Sequence, residues 1–274
     1  MTEAGGDRIV VDQLTKSFPQ PGRNTPDLAV LGGVSFTVRS GEFVTVIGPS
    51  GCGKSTVFNM LAGLESPDSG SVGFRAADGE DTASHSAYMP QKDLLFPWRT
   101  VLDNTVLGLQ VQGVPKAEAR RRARELFPVF GLSGFEDARP SQLSGGMRQR
   151  AALLRTVVQE RELLLLDEPF GALDSLTRTE MQSWLQEVWQ RYRWMVLMIT
   201  HDIREAVYLS DRVIVLSARP ATVRHELRID LPRPRELSVI TAPEFVALEE
   251  ELLEILHEES RRAFTEQKSS GPRF

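Results

Sequence analysis

Apolar residues at Val34, Phe36 and Val38 alternate with polar ones, a period of two that predicts a half-buried antiparallel strand, and Ile9 to Val11 predicts a second. Between them FPQPGRNTPD is a Pro- and Gly-rich turn. FVTVI, Phe43 to Ile47, is a continuous apolar, β-prone run followed at once by glycines and then a helical stretch, VFNMLAGL. Strand, Gly-rich loop and helix together open an α/β domain. From Ser66 to Met89 the chain is polar and Gly-rich apart from Ser71 to Phe74 and Ala87 to Met89, which predicts short strands and a surface loop.

Two helices are predicted next, Thr100 to Gln112 and Lys116 to Phe130, separated by the breaker GVP, with Pro128 ending or kinking the second early. Further on, Met147 to Gln159 predicts a helix, Leu163 to Leu166 a buried strand, Ser175 to Tyr192 a helix and Met195 to Ile199 another strand. That alternation implies a parallel sheet covered by helices. Ser210 to Ser217 adds a strand, and LPRPR at Leu231 to Arg235 breaks regular structure. From Pro243 to Phe264 the spacing of Phe245, Leu248, Leu252, Leu253, Ile255 and Leu256 predicts an amphipathic helix, followed by a frayed tail, EQKSSGPRF.

Composition narrows the class. The 274 residues allow one large core with a smaller appended subdomain. With 32 Lys and Arg against 37 Asp and Glu, the formal net charge of -5 lacks the positive excess of a protein that tracks phosphate backbones, so nucleic acid is not an expected partner. The basic run ARRRARE reads as a solvated helix face. A single cysteine, Cys52, and an opening MTEAGGDRIV without an apolar stretch predict a cytoplasmic chain. No run approaches the ~20 apolar residues that cross a bilayer, so a membrane role has to come through a partner.

GPSGCGKST, spanning Gly48, Pro49, Ser50, Gly51, Cys52, Gly53, Lys54, Ser55 and Thr56, matches the phosphate loop G-x-x-x-x-G-K-[ST] and lies between an apolar strand and a helix, where that loop must lie. Glycines let backbone N–H groups turn toward phosphates, Lys54 reaches the β- and γ-phosphates, and Ser55 can ligate Mg²⁺. Cys52 reads as a small residue tolerated in the loop rather than a redox sensor. LLLLDEP places Asp167 and Glu168 at the end of a buried strand. There Asp167 can hold Mg²⁺ through a water, and Glu168 can orient or deprotonate the attacking water, which points to hydrolysis.

Together with Gln91, LSGGMRQR at Leu143 to Arg150, Ala172 to Asp174 and His201 in ITHD, these motifs resemble the ATP-binding cassette ATPases over about residues 8 to 220. The resemblance implies an α/β fold: a P-loop NTPase cassette with a RecA-like mixed and parallel sheet core, an antiparallel β subdomain and a helical signature subdomain. It implies an ATPase domain over 8–220, with the helical subdomain inserted at about 92–158, and a C-terminal extension over 221–274 carrying the amphipathic helix. ATP and Mg²⁺ are the implied cofactors.

In that family the signature caps a helix whose N-terminus faces the γ-phosphate held by a second subunit. Here Ser144 would supply a hydroxyl, and Gly145 and Gly146 close backbone approach to an anion. Gln91 resembles the loop glutamine that contacts Mg²⁺ and the attacking water, His201 the switch histidine at the γ-phosphate, and Asp174 the aspartate that contacts the dimer partner. Phe18 occupies the place of the aromatic residue that stacks on adenine, where the family more often has Tyr; it can also be a core residue. His85, His225 and His257 read as surface residues.

Met147 in place of Gln, the run QKDLLFPWRTVLDN, FGALD, the stretch HDIREAVYLSDRVIVLSARPATV and LPRPR resemble the importer subunits of the nitrate, sulfonate and taurine group, which also includes carriers of vitamin precursors. This implies a homodimer of cassettes, peripheral at the cytoplasmic face of the membrane and docked near Gln91–Thr100 on a transmembrane permease served by a solute-binding protein. Leu94, Leu95, Phe96, Pro97 and Trp98 form a plausible apolar socket, although Phe96 and Trp98 could equally pack the helical subdomain. The alternatives are a soluble non-transport ATPase of the same family, or the ATPase of an exporter or lipid transport system.

Overall fold

In a computed structural model the described residues are 8–22, 26–76, 79–81 and 86–269, so His85 and the end of the tail, 270–274, lie outside them. The chain divides into two compact units, Met1–Ser84 with Arg193–Phe274, and His85–Tyr192.

The first unit opens with β1 (Arg8–Phe18) and β2 (Leu28–Arg39), paired antiparallel with Val11 opposite Phe36. Val34, Phe36 and Val38 are buried while Ser35 and Thr37 between them are not, as the alternation predicts. β3 (Phe43–Ile47), α1 (Lys54–Leu61), β4 (Ser69–Ala76) and β5 (Gly79–Asp81) follow. Strands β2, β1, β4 and β5 make an antiparallel sheet in that order.

In the second unit, β6 (Ser86–Met89) leads to α2 (Val101–Thr105), α3 (Leu107–Val111), α4 (Lys116–Leu126), α5 (Gly145–Val157), β7 (Leu163–Asp167) and α6 (Ser175–Tyr192). The single helix expected over Thr100 to Gln112 is two, interrupted at Val106. Thr105 bonds back to the Val101 carbonyl, and Asn104 bonds both to the Thr100 carbonyl and to the backbone of Phe96, which ties α2 to the loop before it. α4 stops at Leu126, two residues ahead of Pro128. Three arginines of its basic run are paired in place: Arg120 with Asp103, Arg121 with Glu118 and Glu125, and Arg122 with Glu118 and Glu160. β6 runs parallel to β7, with Ser86 opposite Leu163 and Met89 opposite Leu166.

The chain then returns to the first unit through β8 (Met195–Ile199), α7 (Ile203–Leu209), β9 (Arg212–Leu216), β10 (Val223–Arg228) and α8 (Pro243–Ser269). Within this unit the strand order is β10, β9, β3, β8, and β3 pairs parallel with both β8 and β9. Flanked on both edges, all five β3 residues are buried, which explains its unbroken apolar run. α7 and β10 were not expected from the sequence. On α8, Phe245 and Leu252 are fully buried, but Leu253 is 43% exposed, so the apolar stripe is narrower than its spacing predicts. His225 and His257 are exposed, as expected.

Candidate functional site

Two sets of residues predicted to do chemistry are built on separate elements, one in each unit. In the first unit the phosphate-loop segment leaves the end of β3 and enters α1 at Lys54. Gly53 caps α1 with φ 122°, a conformation closed to residues with a side chain, and a Cβ there would lie 2.8 Å from Leu31 Cδ2. At Gly48 a Cβ would come within 2.8 Å of the Leu216 carbonyl oxygen. Both glycines are therefore required by the packing as well as by any ligand.

The Lys54 ammonium folds over the loop and donates to the carbonyls of Gly48 at 2.8 Å and Pro49 at 3.1 Å. Ser55 is exposed in the first turn of α1, which carries no acidic residue to compete with an anion. Cys52 is buried, and burial pushes its thiol up against the opposing pull of Lys54, which makes it an unreactive packing residue.

Phe18 ends β1 opposite Leu28, half-buried, with the Lys16 ammonium 5.4 Å from its ring centroid. His201 is exposed in the turn between β8 and α7. Its neighbours fix that turn: Asp202 caps α7 by accepting from Glu205 N, Asp202 N donates to Thr200 Oγ1, and the Thr200 hydroxyl donates to the buried Glu205 carboxylate at 2.5 Å.

In the second unit β7 is wholly buried and ends in Asp167, whose Oδ2 accepts a hydrogen bond from the Tyr88 hydroxyl on β6 at 3.1 Å. Burial and the Asp167 charge both push the Tyr88 phenol up, so it stays a donor. Glu168 follows in the left-handed region, φ 46°, a conformation uncommon outside glycine. There its Oε2 accepts from Gln91 Nε2 at 2.8 Å. Asp167, Glu168 and Gln91 are thus gathered at the ends of β7 and β6.

The signature residues open α5. Ser144 is its N-cap and accepts from Met147 N at 3.2 Å, so the helix begins at Gly145, two residues earlier than expected. Gly145 is exposed, whereas Gly146 is buried, and a Cβ on it would lie 2.8 Å from Thr177 Cγ2. Asp174 caps α6 in turn: its Oδ1 accepts from Thr177 N at 3.1 Å, a bond that holds the carboxyl below its usual range.

The strip after Gln91 is a surface feature. Leu94 is 58% exposed and Trp98 67%, with the rings of Phe96 and Trp98 stacked at 5.0 Å, while Leu95 turns inward. Arg155 on α5 holds the strip from beneath, donating to the carbonyls of Asp93 at 2.6 Å and Leu94 at 2.9 Å. An open cleft is lined by Gln91, Leu94, Gly145, Arg148, Gln149 and Leu173 among others. Sequence reasoning missed Tyr88 and Arg155. Tyr88 sits in a short strand with no motif around it, and Arg155 shows only as a charge on an otherwise apolar stretch of helix.

A phosphate loop entering a helix from a buried parallel strand, with an Asp-Glu pair ending another, defines a nucleotide-triphosphate-binding P-loop protein. The ABC transporter family profile matches residues 31–171, and the chain belongs to that family. It is 43% identical over 235 residues to the formylaminopyrimidine import ATP-binding protein ThiZ of Halalkalibacterium halodurans, covering 85% of this chain and 92% of that one. With the aliphatic sulfonates import ATP-binding protein SsuB of Bacillus licheniformis it shares 38% identity over 250 residues, 91% and 95% of the two chains. Among solved structures, the dimeric post-hydrolysis state of an ATP-binding cassette bound to ADP and Pi superimposes with a TM-score of 0.67 at 28% identity, covering 82% of this chain and all of that one. The α/β cassette fold expected from the sequence is the fold observed.

Proposed function

We propose that this chain is the ATP-hydrolysing, nucleotide-binding subunit of an importer, working as a homodimer at the cytoplasmic face of a membrane. The observation that carries the reading is the hydrogen bond from Gln91 to Glu168, because Gln91 begins the exposed strip of Leu94, Phe96 and Trp98. A single contact thereby links the carboxylate proposed as base to a surface suited to a partner. No described helix is long and apolar enough to cross a membrane.

In this mechanism the backbone N–H groups of Gly48–Thr56 cradle the phosphates. Lys54 exchanges the carbonyls of Gly48 and Pro49 for β- and γ-phosphate oxygens. Mg²⁺ would be held by the hydroxyl of Ser55, the amide oxygen of Gln91 and, through a water, the buried carboxylate of Asp167, oxygen donors of the kind that suit an ion shared with phosphates. When bound, Mg²⁺ neutralises phosphate charge and polarises the bond to be broken. Glu168 takes a proton from water as its oxygen bonds to the γ-phosphorus and the bond to the β,γ-bridging oxygen breaks, giving ADP and phosphate.

Gln91 orients Glu168, and His201 steadies charge on the γ-phosphate. Phe18 stacks on adenine. Ser144, Gly145 and Gly146 approach the γ-phosphate bound by the second copy, and Asp174 contacts that copy. Closing and opening of the dimer would reach the permease through Gln91–Thr100, with a binding protein delivering a small solute. The named relatives import a formylaminopyrimidine and aliphatic sulfonates, which supports a solute of the nitrate, sulfonate, taurine or vitamin-precursor type.

The test is recovery of tagged chain from gently solubilised native membranes, followed by mass spectrometry. A multi-span permease with a solute-binding protein is the expected result, with recovery reduced by Trp98→Ser. A membrane fraction that yields neither contradicts the transport reading.

A further inference from the structure

The LPRPR segment has a task the nucleotide chemistry does not account for. α7 is only seven residues long, and its residues Glu205 to Leu209 are all buried, so its last carbonyls need partners inside the protein. Two guanidinium groups from LPRPR provide them. Arg235, 4% exposed, donates through one nitrogen to the carbonyls of Val207 at 3.0 Å, Tyr208 at 3.0 Å and Ser210 at 2.7 Å. Its other terminal nitrogen reaches Ile229 and Leu231, and Tyr208 returns a bond from its hydroxyl to the Arg235 carbonyl at 3.0 Å.

Arg233 donates to the Leu209 carbonyl at 2.6 Å and pairs with Asp211 at 2.9 Å. Asp211 in turn accepts from Phe43 N at 2.9 Å, at the start of the strand whose far end opens the phosphate loop. The positive ends of both side chains thus sit at the negative end of the α7 dipole. At the other end of this two-turn helix, Asp202, Glu205 and Thr200 lock the turn that presents His201. A second strut from the C-terminal part of the chain, Glu249 on α8, pairs with Arg204 at 3.0 Å. The turn that presents His201 is thus bonded to α7 at one end, and the two arginines hold the helix at the other.

We propose that Arg233 and Arg235 are positioning residues for His201: by clamping the end of α7 to β3 they fix where the histidine stands relative to the phosphate loop. This rests on the reading of His201 as the switch histidine. Pro234 restricts the backbone of Arg233, and both arginines reach the same buried end of α7.

The test measures kcat and KM for ATP, with thermal stability, in the full chain carrying Arg233→Lys, Arg235→Lys or Tyr208→Phe, each alone and combined with His201→Ala. Lysine keeps the charge but loses the planar fork that reaches several carbonyls at once. Tyr208→Phe removes one hydroxyl and keeps the fold if a lysine variant does not. The expected result is a kcat about fivefold lower in the arginine variants and about twofold lower in Tyr208→Phe, with KM within about twofold of the parent. Combined with His201→Ala, none should lower kcat further. A folded arginine variant with unchanged kcat, a loss carried by KM, or losses that multiply with His201→Ala would overturn the inference. If His201→Ala alone leaves kcat unchanged, the switch-histidine reading falls first and takes the inference with it.

Discussion

Gln91 Nε2 donates a 2.8 Å hydrogen bond to Glu168 Oε2, and Glu168 holds its position with φ 46°. A non-glycine residue in that region costs about 1 kcal/mol or more, so the surroundings over-determine it. What the backbone gains is a carboxylate aimed at the glutamine that starts the exposed strip.

Replacement of Glu168 by Gln keeps the side chain's size and removes its basicity. We expect ATP affinity within about twofold of the parent and turnover lowered by about 10²-fold or more, the usual contribution of a positioned base. Single-turnover hydrolysis alongside equilibrium nucleotide binding measures both. Turnover near the parent value would remove Glu168 from this role.

Gly146 reads at first as a residue that lets a backbone N–H approach an anion, yet a Cβ there would lie 2.8 Å from Thr177 Cγ2. Gly146→Ala should therefore lower stability by about 1–3 kcal/mol through overpacking between α5 and α6. Thermal or urea denaturation reads this out. Gly145→Ala, with its nearest neighbour Leu173 Cδ2 at 3.7 Å, should not share the loss, and equal losses would contradict the packing account.

The Arg120 guanidinium, donating at 2.5 Å, holds the Asp103 carboxyl below its ordinary value. A depressed carboxyl contributes stability that is present above its unfolded pKa of about 3.9 and is lost as pH falls through the lower folded value. Asp103→Asn should lower stability by about 1 kcal/mol or less at neutral pH, and the gap to the parent should close below about pH 4. Melting curves between pH 3 and pH 7, a range set by those values, decide it. A gap that stays constant across this range would show that the charge is not responsible.

How much could be read in advance follows from the kind of signal each element carries. β3 and β7 were legible because strands buried on both faces read as unbroken apolar runs, FVTVI and LLLL. The phosphate loop was legible because its glycines and lysine sit at fixed spacing between such elements. α7 was not, since a helix buried on nearly every side shows no apolar stripe, and Arg204 and Glu205 make IREAVYL look like a loop. The break at Val106 was hidden because it falls in VLDNTVLGLQV, where no proline marks it. FGALD singles out Asp174 as a motif residue, whereas its bond to Thr177 N, which makes it a helix cap, needs coordinates. The LPRPR segment announced only that regular structure ends, while the carbonyls it serves lie 25 to 28 residues earlier for Arg235.

In the proposed function two copies of this chain would complete each other's ATP sites through Ser144. The most direct measurement is the mass in solution, by light scattering or sedimentation, of the Glu168→Gln protein with ATP and with ADP, repeated with Ser144→Arg added. We expect a dimer with ATP and a monomer with ADP, and no ATP-dependent dimer once Ser144 is changed, with nucleotide still bound by the monomer. A Glu168→Gln protein that stays monomeric with saturating ATP, or a dimer indifferent to Ser144→Arg, would contradict the account.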